Sequence, residues 1–352
     1  MGVKLADLVK NVQKEITVKS LAHKVIGIDA YNMIYAFLSR IRSEGGTTLF
    51  TDEGGNVTSH LIGMYNRCVY FLSNNVSPVF IFDGKPPDLK RKTQEERARI
   101  KEEAERKYEA AVLAGDLEKA AIFAQQTSRI TPQILEDSFT LLKCLGLPYI
   151  LAPGEAEAQG ALMTRNKDIW AFASQDYDAL LFGVSRALRN LAVNQTRGTP
   201  QGTRTYPPYQ IKLEELFDEL KISREQLILL ALLIGTDYNP GVRGVGPKTA
   251  LKLVSKYKSL DALIKYLKRP NLKIRGEEVN FDVAFPVEPE SLFNAFYIPK
   301  AVKKYSISFE KPKKNELINF LCEERNFNQE RVEEGLSKIL KASRQSKLDS
   351  FF

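Results

Sequence analysis

Short apolar runs that end in an acidic residue recur along this chain and constrain its fold more than any other feature. In the segment VIGIDA the apolar run is followed by Asp29, and in the segment VFIFDG it is followed by Asp83. Enrichment in β-branched, aromatic or leucine residues predicts strands at residues 24–28, 79–82, 148–151, 169–173 and 186–193. Longer segments of helical periodicity lie between them, for example at residues 60–74 and 134–146. This alternation predicts an α/β fold with a mostly parallel sheet flanked by helices.

Composition limits the classes of function that fit the chain. The 352 residues carry a formal net charge of +8, which makes a polyanionic partner plausible without identifying it. The three cysteines, Cys68, Cys144 and Cys322, are far apart and predict no disulfide framework, which fits a reducing compartment. With His23 and His60 as the two histidines, a zinc site of Cys and His ligands is excluded in practice, and a metal here must prefer oxygen ligands. The sequence has no membrane-spanning run, secretory leader or myristoylation pattern, so we expect an intracellular protein without a membrane anchor.

Acidic residues follow four of the predicted strands. In a parallel sheet, the carboxyl ends of the strands meet at one edge, where ligands bind. Asp176 and Asp178 are two residues apart, so in an extended chain they would point to the same side. The segment that begins at Glu155 is predicted to be helical after the break at Pro153 and Gly154. The predicted acidic set comprises Asp29, Asp83, Glu155, Glu157, Asp176, Asp178 and, from a later turn, Asp237.

Carboxylates packed this closely would repel one another, and divalent cations relieve that repulsion. Ligand sets made only of oxygen favour Mg²⁺, with Mn²⁺ as a substitute. Two such ions about 4 Å apart can activate a water molecule and stabilise the leaving oxygen of a phosphodiester. Each acid taken alone could be a turn former or complement a helix dipole. Their common placement favours a metal site.

Two further segments differ from the alternating pattern. Residues 88–125 include KRKTQEERARIKEEAERKYEAA, whose charge density and narrow apolar stripe predict a solvated helical insertion. The segment GVRGVGPKTALKLV predicts a glycine hairpin that opens a helix, with Gly244 and Gly246 on either side of Val245 and with Lys248 in the first helical turn. Such a hairpin can present backbone N–H groups to a phosphate, although a tight turn between two helices is the alternative.

Five segments look like the successive signature blocks of the flap endonucleases, which belong to a structure-specific 5′-nuclease superfamily. They occur in the order of that family and the resemblance extends over the whole chain. The segments are IGIDAYNMIYAFL, FIFDGKPPDLK, APGEAEAQ, SQDYDALLF and LIGTDYNPGVRGVGPKTA.

The resemblance implies a PIN-like 5′-nuclease fold with a helical arch and a helix-two-turn-helix subdomain that binds duplex DNA. Residues 1–342 would form a single nuclease domain, divided into an N-terminal part (1–87), the arch (88–130), an internal part (131–235) and a C-terminal helical part (236–342). Residues 343–352 would be a flexible tail.

The resemblance also implies roles for individual residues. The seven acids match the metal-binding residues of the family, which holds two Mg²⁺ ions, and the hairpin often binds K⁺ there. Lys90 and Arg97 match catalytic basic residues at the base of the arch. DNA contacts are implied for Tyr35, which would stack on the terminal base, for Arg42 near the cleavage site, and for Gly2 once Met1 is removed. The hairpin contacts would come from Gly244, Gly246 and Lys248.

The C-terminal sequence resembles the motif that inserts into sliding clamps of the proliferating cell nuclear antigen type. Its positions are Gln345, Leu348, Phe351 and Phe352. Paired phenylalanines at a chain end favour docking, while a tail that folds back on its own domain is the alternative.

The expected function is therefore Mg²⁺-dependent cleavage of 5′ flaps, together with 5′–3′ exonuclease activity, in replication and repair. Alternatives are a bubble-cutting repair nuclease of the same superfamily, a catalytically silent DNA-binding scaffold and an RNA-cutting PIN nuclease. The expected protein is a monomer of archaeal type that acts at DNA in the cytoplasm or nucleoid.

Overall fold

A computed structural model describes residues 3–43, 45–192, 195–199 and 202–349. The strands are β1 (Lys14–Glu15), β2 (Val25–Asp29), β3 (Ser77–Phe82), β4 (Tyr149–Leu151), β5 (Ala171–Ala173), β6 (Arg186–Arg189), β7 (Gln195–Thr199), β8 (Gly202–Tyr206), β9 (Tyr209–Lys212), β10 (Lys273–Ile274) and β11 (Glu277–Glu278). The five strands predicted from the sequence correspond to β2 through β6.

The helices are α1 (Ala6–Val9), α2 (Ala30–Arg40), α3 (Ser59–Ser73), α4 (Arg91–Leu113), α5 (Leu117–Gln126), α6 (Pro132–Cys144), α7 (Ala156–Asn166), α8 (Asp178–Phe182), α9 (Leu213–Leu220), α10 (Arg224–Ile234), α11 (Pro247–Lys256), α12 (Leu260–Leu267), α13 (Phe281–Ala284), α14 (Pro289–Tyr297), α15 (Lys314–Ile318) and α16 (Gln329–Asp349). Short 3₁₀ turns occupy Lys10–Val12, Val18–Leu21 and Asp88–Lys90, and Asn319–Glu323 is a π-helical turn. None of the helices in the described residues is long and apolar enough to cross a membrane.

The central sheet has seven strands in the order β1-β9-β6-β5-β2-β3-β4. Strands β2 through β6 pair in parallel, whereas β9 pairs antiparallel with both β6 and β1. The predicted α/β fold with a mostly parallel sheet is confirmed. Because β2, β3, β4 and β5 are direct neighbours, their carboxyl ends meet at one edge.

Alternation along the strands divides the core into two layers. In β3, Val79 and Ile81 join the apolar cluster that includes α7, α8 and α10, while Phe80 and Phe82 join the cluster that includes α2, α3 and α6. All four side chains are almost completely buried. A sheet covered on both faces leaves its carboxyl edge as the place for polar side chains.

The charged segment after β3 forms the antiparallel helix pair α4 and α5. Its buried residues are small: Ala104 and Ala111 on α4, and Ala120 and Ala124 on α5. Small side chains let the two helices pack closely on each other while their charged faces remain exposed. The predicted helical insertion is therefore a two-helix unit.

Two Gly/Pro-rich segments outside the predicted strands contain regular structure. In the segment 197–208, β7 and β8 form an antiparallel hairpin, because threonines placed among the turn residues favour strand pairing. In the segment 270–289, β10 and β11 pair across Arg275 and Gly276, which both have positive φ, at 52° and 84°. Two consecutive residues with positive φ are what a two-residue hairpin turn requires.

The last helix also differs from its prediction. The sequence predicts a flexible tail from residue 343, but α16 continues to Asp349. The segment 343–349 has few helix breakers, so the helix extends past the boundary.

Candidate active site

Asp29 and Asp83 are the acids at the centre of the sheet edge. Asp29 ends β2 and caps α2, because its Oδ1 accepts a hydrogen bond from Asn32 N at 2.9 Å. Asp83 directly follows β3, and its Oδ1 accepts from Ala156 N at 2.7 Å. The carboxylate of Asp83 therefore lies just after β3 and holds the first turn of α7.

Glu155 and Glu157 lie at the start of α7, as the sequence predicts. Glu155 is the residue before the helix and Glu157 lies in its first turn. The preceding loop packs against the loop after β3: Gly84 N donates to Gly154 O at 2.7 Å. A Cβ atom at Gly84 would lie 2.0 Å from Ala152 O, so this approach requires glycine.

Asp176 and Asp178 reach the site by a geometry that the sequence reasoning missed. The expected extended chain is wrong, because the residues after β5 bend and Asp178 is the first residue of α8. Ser174 joins this loop to β2: its hydroxyl donates to Asp29 Oδ2 at 2.8 Å and accepts from Asp176 N at 3.2 Å. On the other side, Val3 N donates to Asp178 Oδ1 at 2.7 Å.

Two basic side chains of the charged insertion face the acids. Lys90 Nζ lies 2.8 Å from Glu155 Oε1 and 3.7 Å from Asp237 Oδ2. Arg97 Nη2 lies 2.6 Å from the same Asp237 oxygen. Tyr238, which sequence reasoning did not single out, donates its hydroxyl to Glu155 Oε1 at 2.6 Å. The insertion is thus tied by its base to the carboxylates.

The acids influence one another electrostatically. Burial raises the pKa of Asp29 to about 8, and the negative charge of Asp83 adds to that rise. Burial also raises the pKa of Glu157, with further contributions from Asp29, Asp83 and Glu155. The structure therefore brings these acids toward one another at this edge, and their joint role in binding metal stays a prediction.

The other side of the cluster behaves in the same way. Burial raises the pKa of Asp178 to about 7, and the charges of Asp176 and Asp237 act in the same direction. Burial alone would lower the pKa of Lys90, but Glu155 and its neighbouring acids outweigh that effect and raise it. Lys90 therefore stays charged and offsets part of the negative charge.

The donor chemistry of the cluster fits a hard divalent cation. Burial and neighbouring negative charge raise the pKa values of Asp29, Asp83, Glu157 and Asp178, and a bound cation would remove that cost of ionisation. Among the described residues, no three His, Cys, Asp or Glu side chains already enclose a metal-sized position by themselves. Most of these acids are buried or half-buried, and a hard cation that keeps water ligands and shares oxygens with a substrate needs only some of its ligands from the protein.

Comparisons with known proteins show the family to which the chain belongs. The XPG N-terminal domain matches residues 1–104 and the XPG I-region matches residues 146–237. The chain is 43% identical over 359 residues to flap endonuclease 1 of Pyrococcus horikoshii, covering 100% of this chain and 98% of that protein. It is 44% identical over 363 residues to flap endonuclease 1 of Aeropyrum pernix, covering 100% of both. The chain belongs to the flap endonuclease 1 family.

Solved structures give the same result at the level of the fold. Flap endonuclease-1 from Methanococcus jannaschii superposes with a TM-score of 0.72 at 35% identity, covering 98% of this chain and 100% of that one. The catalytic core of Rad2 in complex with DNA substrate gives a TM-score of 0.71 at 22% identity, covering 96% and 100%, and supports the fold alone. This flap endonuclease family member is a nuclease with the fold that its sequence blocks implied.

For Tyr35 and Arg42, which are predicted to contact DNA in this flap endonuclease family member, the structure shows contacts within the chain. Tyr35, on α2, has Lys101 Nζ 4.5 Å from its ring centroid. Arg42 donates to Thr47 O at 3.0 Å, and to Ala124 O and Ser128 Oγ at the end of α5. In this conformation Arg42 therefore ties the insertion to the loop after α2. Gly2 lies outside the described residues.

The glycine hairpin lies between α10 and α11. Gly244 has a φ of +78°, and Gly246 precedes α11 without a side-chain cap. Lys248 is exposed in the first turn of α11. A helix start without a cap leaves N–H groups available to an anion. At the C-terminus, Gln345 and Leu348 lie in the last turns of α16, whereas Phe351 and Phe352 lie outside the described residues.

Proposed function

We propose that this chain is a structure-specific endonuclease that cuts 5′ flaps at the junction of single-stranded and double-stranded DNA, with an associated 5′–3′ exonuclease activity. The observation that carries the proposal is the meeting of seven acids with Lys90 and Arg97 at one edge of the sheet. A scaffold that only binds DNA would gain nothing from burying so many carboxylates together. The cellular role would be flap removal in replication and repair, by a monomer acting at DNA inside the cell.

The acids would hold two Mg²⁺ ions, with Mn²⁺ as a substitute. The two ions would supply an activated water and stabilise the leaving oxygen of the phosphodiester. The protein's share is to fix the carboxylates before the substrate arrives. Asp83 is held by the start of α7, Asp29 by the start of α2, and Asp178 by Val3 N, so little reorganisation remains when DNA binds.

Lys90 and Arg97 would act directly on the scissile phosphate. Both side chains reach the carboxylate cluster from the base of the insertion. With a phosphate bound at this cluster, the side chains of Lys90 and Arg97 would help to neutralise the charge that develops on it. Such neutralisation is strongest in a cleft with little water.

The insertion would serve as an arch through which the 5′ flap passes. Arg42 holds the C-terminal end of the insertion through Ala124 O. Lys90 and Arg97 hold its N-terminal end, so the helix pair is tied where it enters and where it leaves. Tyr35, on the helix that follows Asp29, would stack on the terminal base of the flap strand. Selection of flaps would follow from the shape and bendability of the junction rather than from base sequence.

The glycine hairpin would hold the downstream duplex through its backbone. The uncapped start of α11 and the exposed Lys248 suit phosphate contacts, and K⁺ bound at the hairpin would add a positive charge. Contacts of this kind position DNA without reading its sequence.

Salt therefore provides a test of how the duplex is held. We expect flap affinity to fall about 100-fold between about 50 and 200 mM KCl, as for a protein that neutralises about four phosphates. Lys248→Ala should reduce the slope of log affinity against log salt by about one unit. Fluorescence anisotropy in Ca²⁺ would measure both, with two flaps of unrelated sequence as the control. A salt-independent affinity would contradict this mode of binding.

The C-terminal segment would bind a sliding clamp of the proliferating cell nuclear antigen type. Gln345, Leu348, Phe351 and Phe352 have the spacing of the clamp-binding motif. Attachment to a clamp would raise the concentration of the nuclease at newly formed junctions.

Removing the two terminal phenylalanines tests the clamp interaction. In Phe351→Ala/Phe352→Ala, we expect clamp stimulation of cleavage to disappear, while cleavage without the clamp stays within about twofold of the wild type. Cleavage of a flap on circular DNA loaded with clamp would be compared with cleavage of the free flap. A parallel loss of both activities would show that the phenylalanines belong to the nuclease domain instead.

The decisive experiment for the main proposal compares substrates. With Mg²⁺, the protein should cut a labelled 5′ flap near its junction and leave an intact linear duplex of the same sequence uncut internally, and EDTA should stop the reaction. Cleavage of a bubble in preference to a flap would favour the related repair nucleases, and cleavage of RNA in preference to DNA would favour an RNA-cutting enzyme. Binding of flaps without any cleavage would indicate a silent scaffold.

A further inference from the structure

The loop that carries Asp176 and Asp178 is short and lies between β5 and α8. Its first residue, Ser174, donates its backbone N–H to Leu188 O of β6 at 3.2 Å. Tyr177 lies between the two aspartates in sequence, so its contacts restrain the backbone that carries both carboxylates. Anything that fixes Tyr177 and the backbone before it also fixes the two acids.

Arg189 makes two contacts with this loop and one with the neighbouring strand β9. It is the last residue of β6, at the same edge as the carboxylates. Its Nη2 donates to Gln175 O, and its guanidinium carbon lies 3.7 Å from the centroid of the Tyr177 ring. Its Nη1 donates to Tyr209 Oη at 2.8 Å. The guanidinium therefore connects the loop backbone, the ring between the aspartates and the next strand.

The partner strand completes the arrangement. Arg189 and Tyr209 are direct partners in the antiparallel pairing of β6 and β9. The hydroxyls of Tyr177 and Tyr209 are 3.3 Å apart, and Gln13 Nε2 lies 3.4 Å from the Tyr177 hydroxyl. Cross-strand pairs are well suited to hold a planar side chain in one orientation. Tyr177 is thus packed against Arg189 on its face and hydrogen-bonded at its hydroxyl.

We propose that Arg189 is a positioning residue, which fixes the loop 174–178 so that Asp176 and Asp178 are ready to hold a divalent cation. The inference rests on the proposed metal-binding role of these two acids. Arg189 itself would contact neither the cation nor DNA. Without its guanidinium, Tyr177 and Gln175 O lose a common partner. Cation binding by these two acids would then have to order the loop as well, which weakens the affinity for the cation.

Arg189→Met keeps much of the length of the side chain and removes its hydrogen bonds and charge. Arg186→Met is a matched control: Arg186 lies on the same strand and its guanidinium carbon stacks 3.9 Å from the Trp170 ring centroid, but it lies at the opposite end of β6. We expect Arg189→Met to raise the Mg²⁺ concentration for half-maximal single-turnover cleavage about 10-fold. Excess Mg²⁺ should restore most of the cleavage rate. The flap affinity of Arg189→Met, measured in EDTA without divalent cations, should stay within about twofold of the wild-type value.

A direct measurement keeps the inference separate from catalysis. Mn²⁺ binding to the protein without DNA, followed by electron paramagnetic resonance, should weaken about 10-fold for Arg189→Met and stay unchanged for Arg186→Met. Arg189→Lys should weaken binding less than Arg189→Met because it keeps one donor. Tyr209→Phe removes the hydroxyl that contacts Arg189 and Tyr177 and should give a smaller change in the same direction. It is the variant to use if Arg189→Met does not fold.

The outcomes distinguish this inference from the proposed function. If the wild type cuts flaps and Arg189→Met has the Mg²⁺ and Mn²⁺ curves of the wild type, Arg189 has no positioning role, even where its unfolding temperature falls. Equal weakening in both arginine variants would likewise overturn the inference, because it would report a general loss of charge. If the wild type does not cut flaps at all, the proposed function fails first.

Discussion

Asp178→Ala is expected to lower the rate of flap cleavage by at least about 10³-fold, which corresponds to about 4 kcal/mol of transition-state stabilisation. Asp178 is buried beside Asp176 and Asp237, where a carboxylate has a raised pKa of about 7 unless a cation balances it. Replacing Asp178 with alanine removes a proposed metal ligand and leaves the surfaces proposed to bind duplex DNA unchanged. We therefore expect flap affinity in Ca²⁺ to change by about twofold at most, because backbone contacts elsewhere carry the binding.

Asp178→Asn separates lost chemistry from lost structure. An asparagine keeps an oxygen that can accept from Val3 N, which donates to Asp178 Oδ1 in the wild type at 2.7 Å. Because one buried negative charge is removed, the unfolding temperature in EDTA should stay at or above that of the wild type. Asp218→Asn, at an exposed acid on α9, is the control and should keep full activity. Full activity in either Asp178 variant would remove this residue from the site.

The sheet could be predicted because its strands are short, apolar and bounded by breaks. Burial on both faces gives β2 and β3 continuous apolar sequences, and these are what the sequence shows. The hairpins β7–β8 and β10–β11 were missed for the opposite reason. They are rich in polar and turn-forming residues, and pairing with a neighbour rather than local preference makes them strands.

The acids could be predicted because the ends of parallel strands meet whatever lies between them in sequence. The residues that hold these acids in place could not be predicted. Ser174, which joins Asp29 to Asp176, and Tyr238, which donates to Glu155, act through contacts between distant parts of the chain. Residues separated by 145 positions, as Asp29 and Ser174 are, leave no periodic signal in one sequence. The extended geometry expected for Asp176 and Asp178 was wrong because α8 begins at Asp178, within the motif itself.

Lys90→Met is expected to lower cleavage about 10²-fold, or by about 3 kcal/mol, at saturating Mg²⁺. Lys90 Nζ is 2.8 Å from Glu155 Oε1, and its side chain is 18% exposed, so the charge acts in a partly desolvated cleft. Methionine keeps most of the side-chain length and its apolar contacts but cannot neutralise a phosphate. Single-turnover cleavage with excess enzyme would report the chemical step, and the flap affinity would be measured separately in Ca²⁺.

Asp178→Asn and Lys90→Met should have opposite effects on the stability of the metal-free protein, although both should remove most of the activity. Removing the acid in Asp178→Asn relieves repulsion, whereas Lys90→Met leaves Glu155 and Asp237 with less compensation and should destabilise the fold on the order of 3 kcal/mol in EDTA. Mg²⁺ should restore part of that loss, since the ions take over the charge of the lysine. Lys85→Met, at an exposed lysine of the same loop, is the control. If Lys90→Met were as stable in EDTA as Lys85→Met, the lysine would not be balancing the carboxylates, and its proposed action on the phosphate would lose its electrostatic basis.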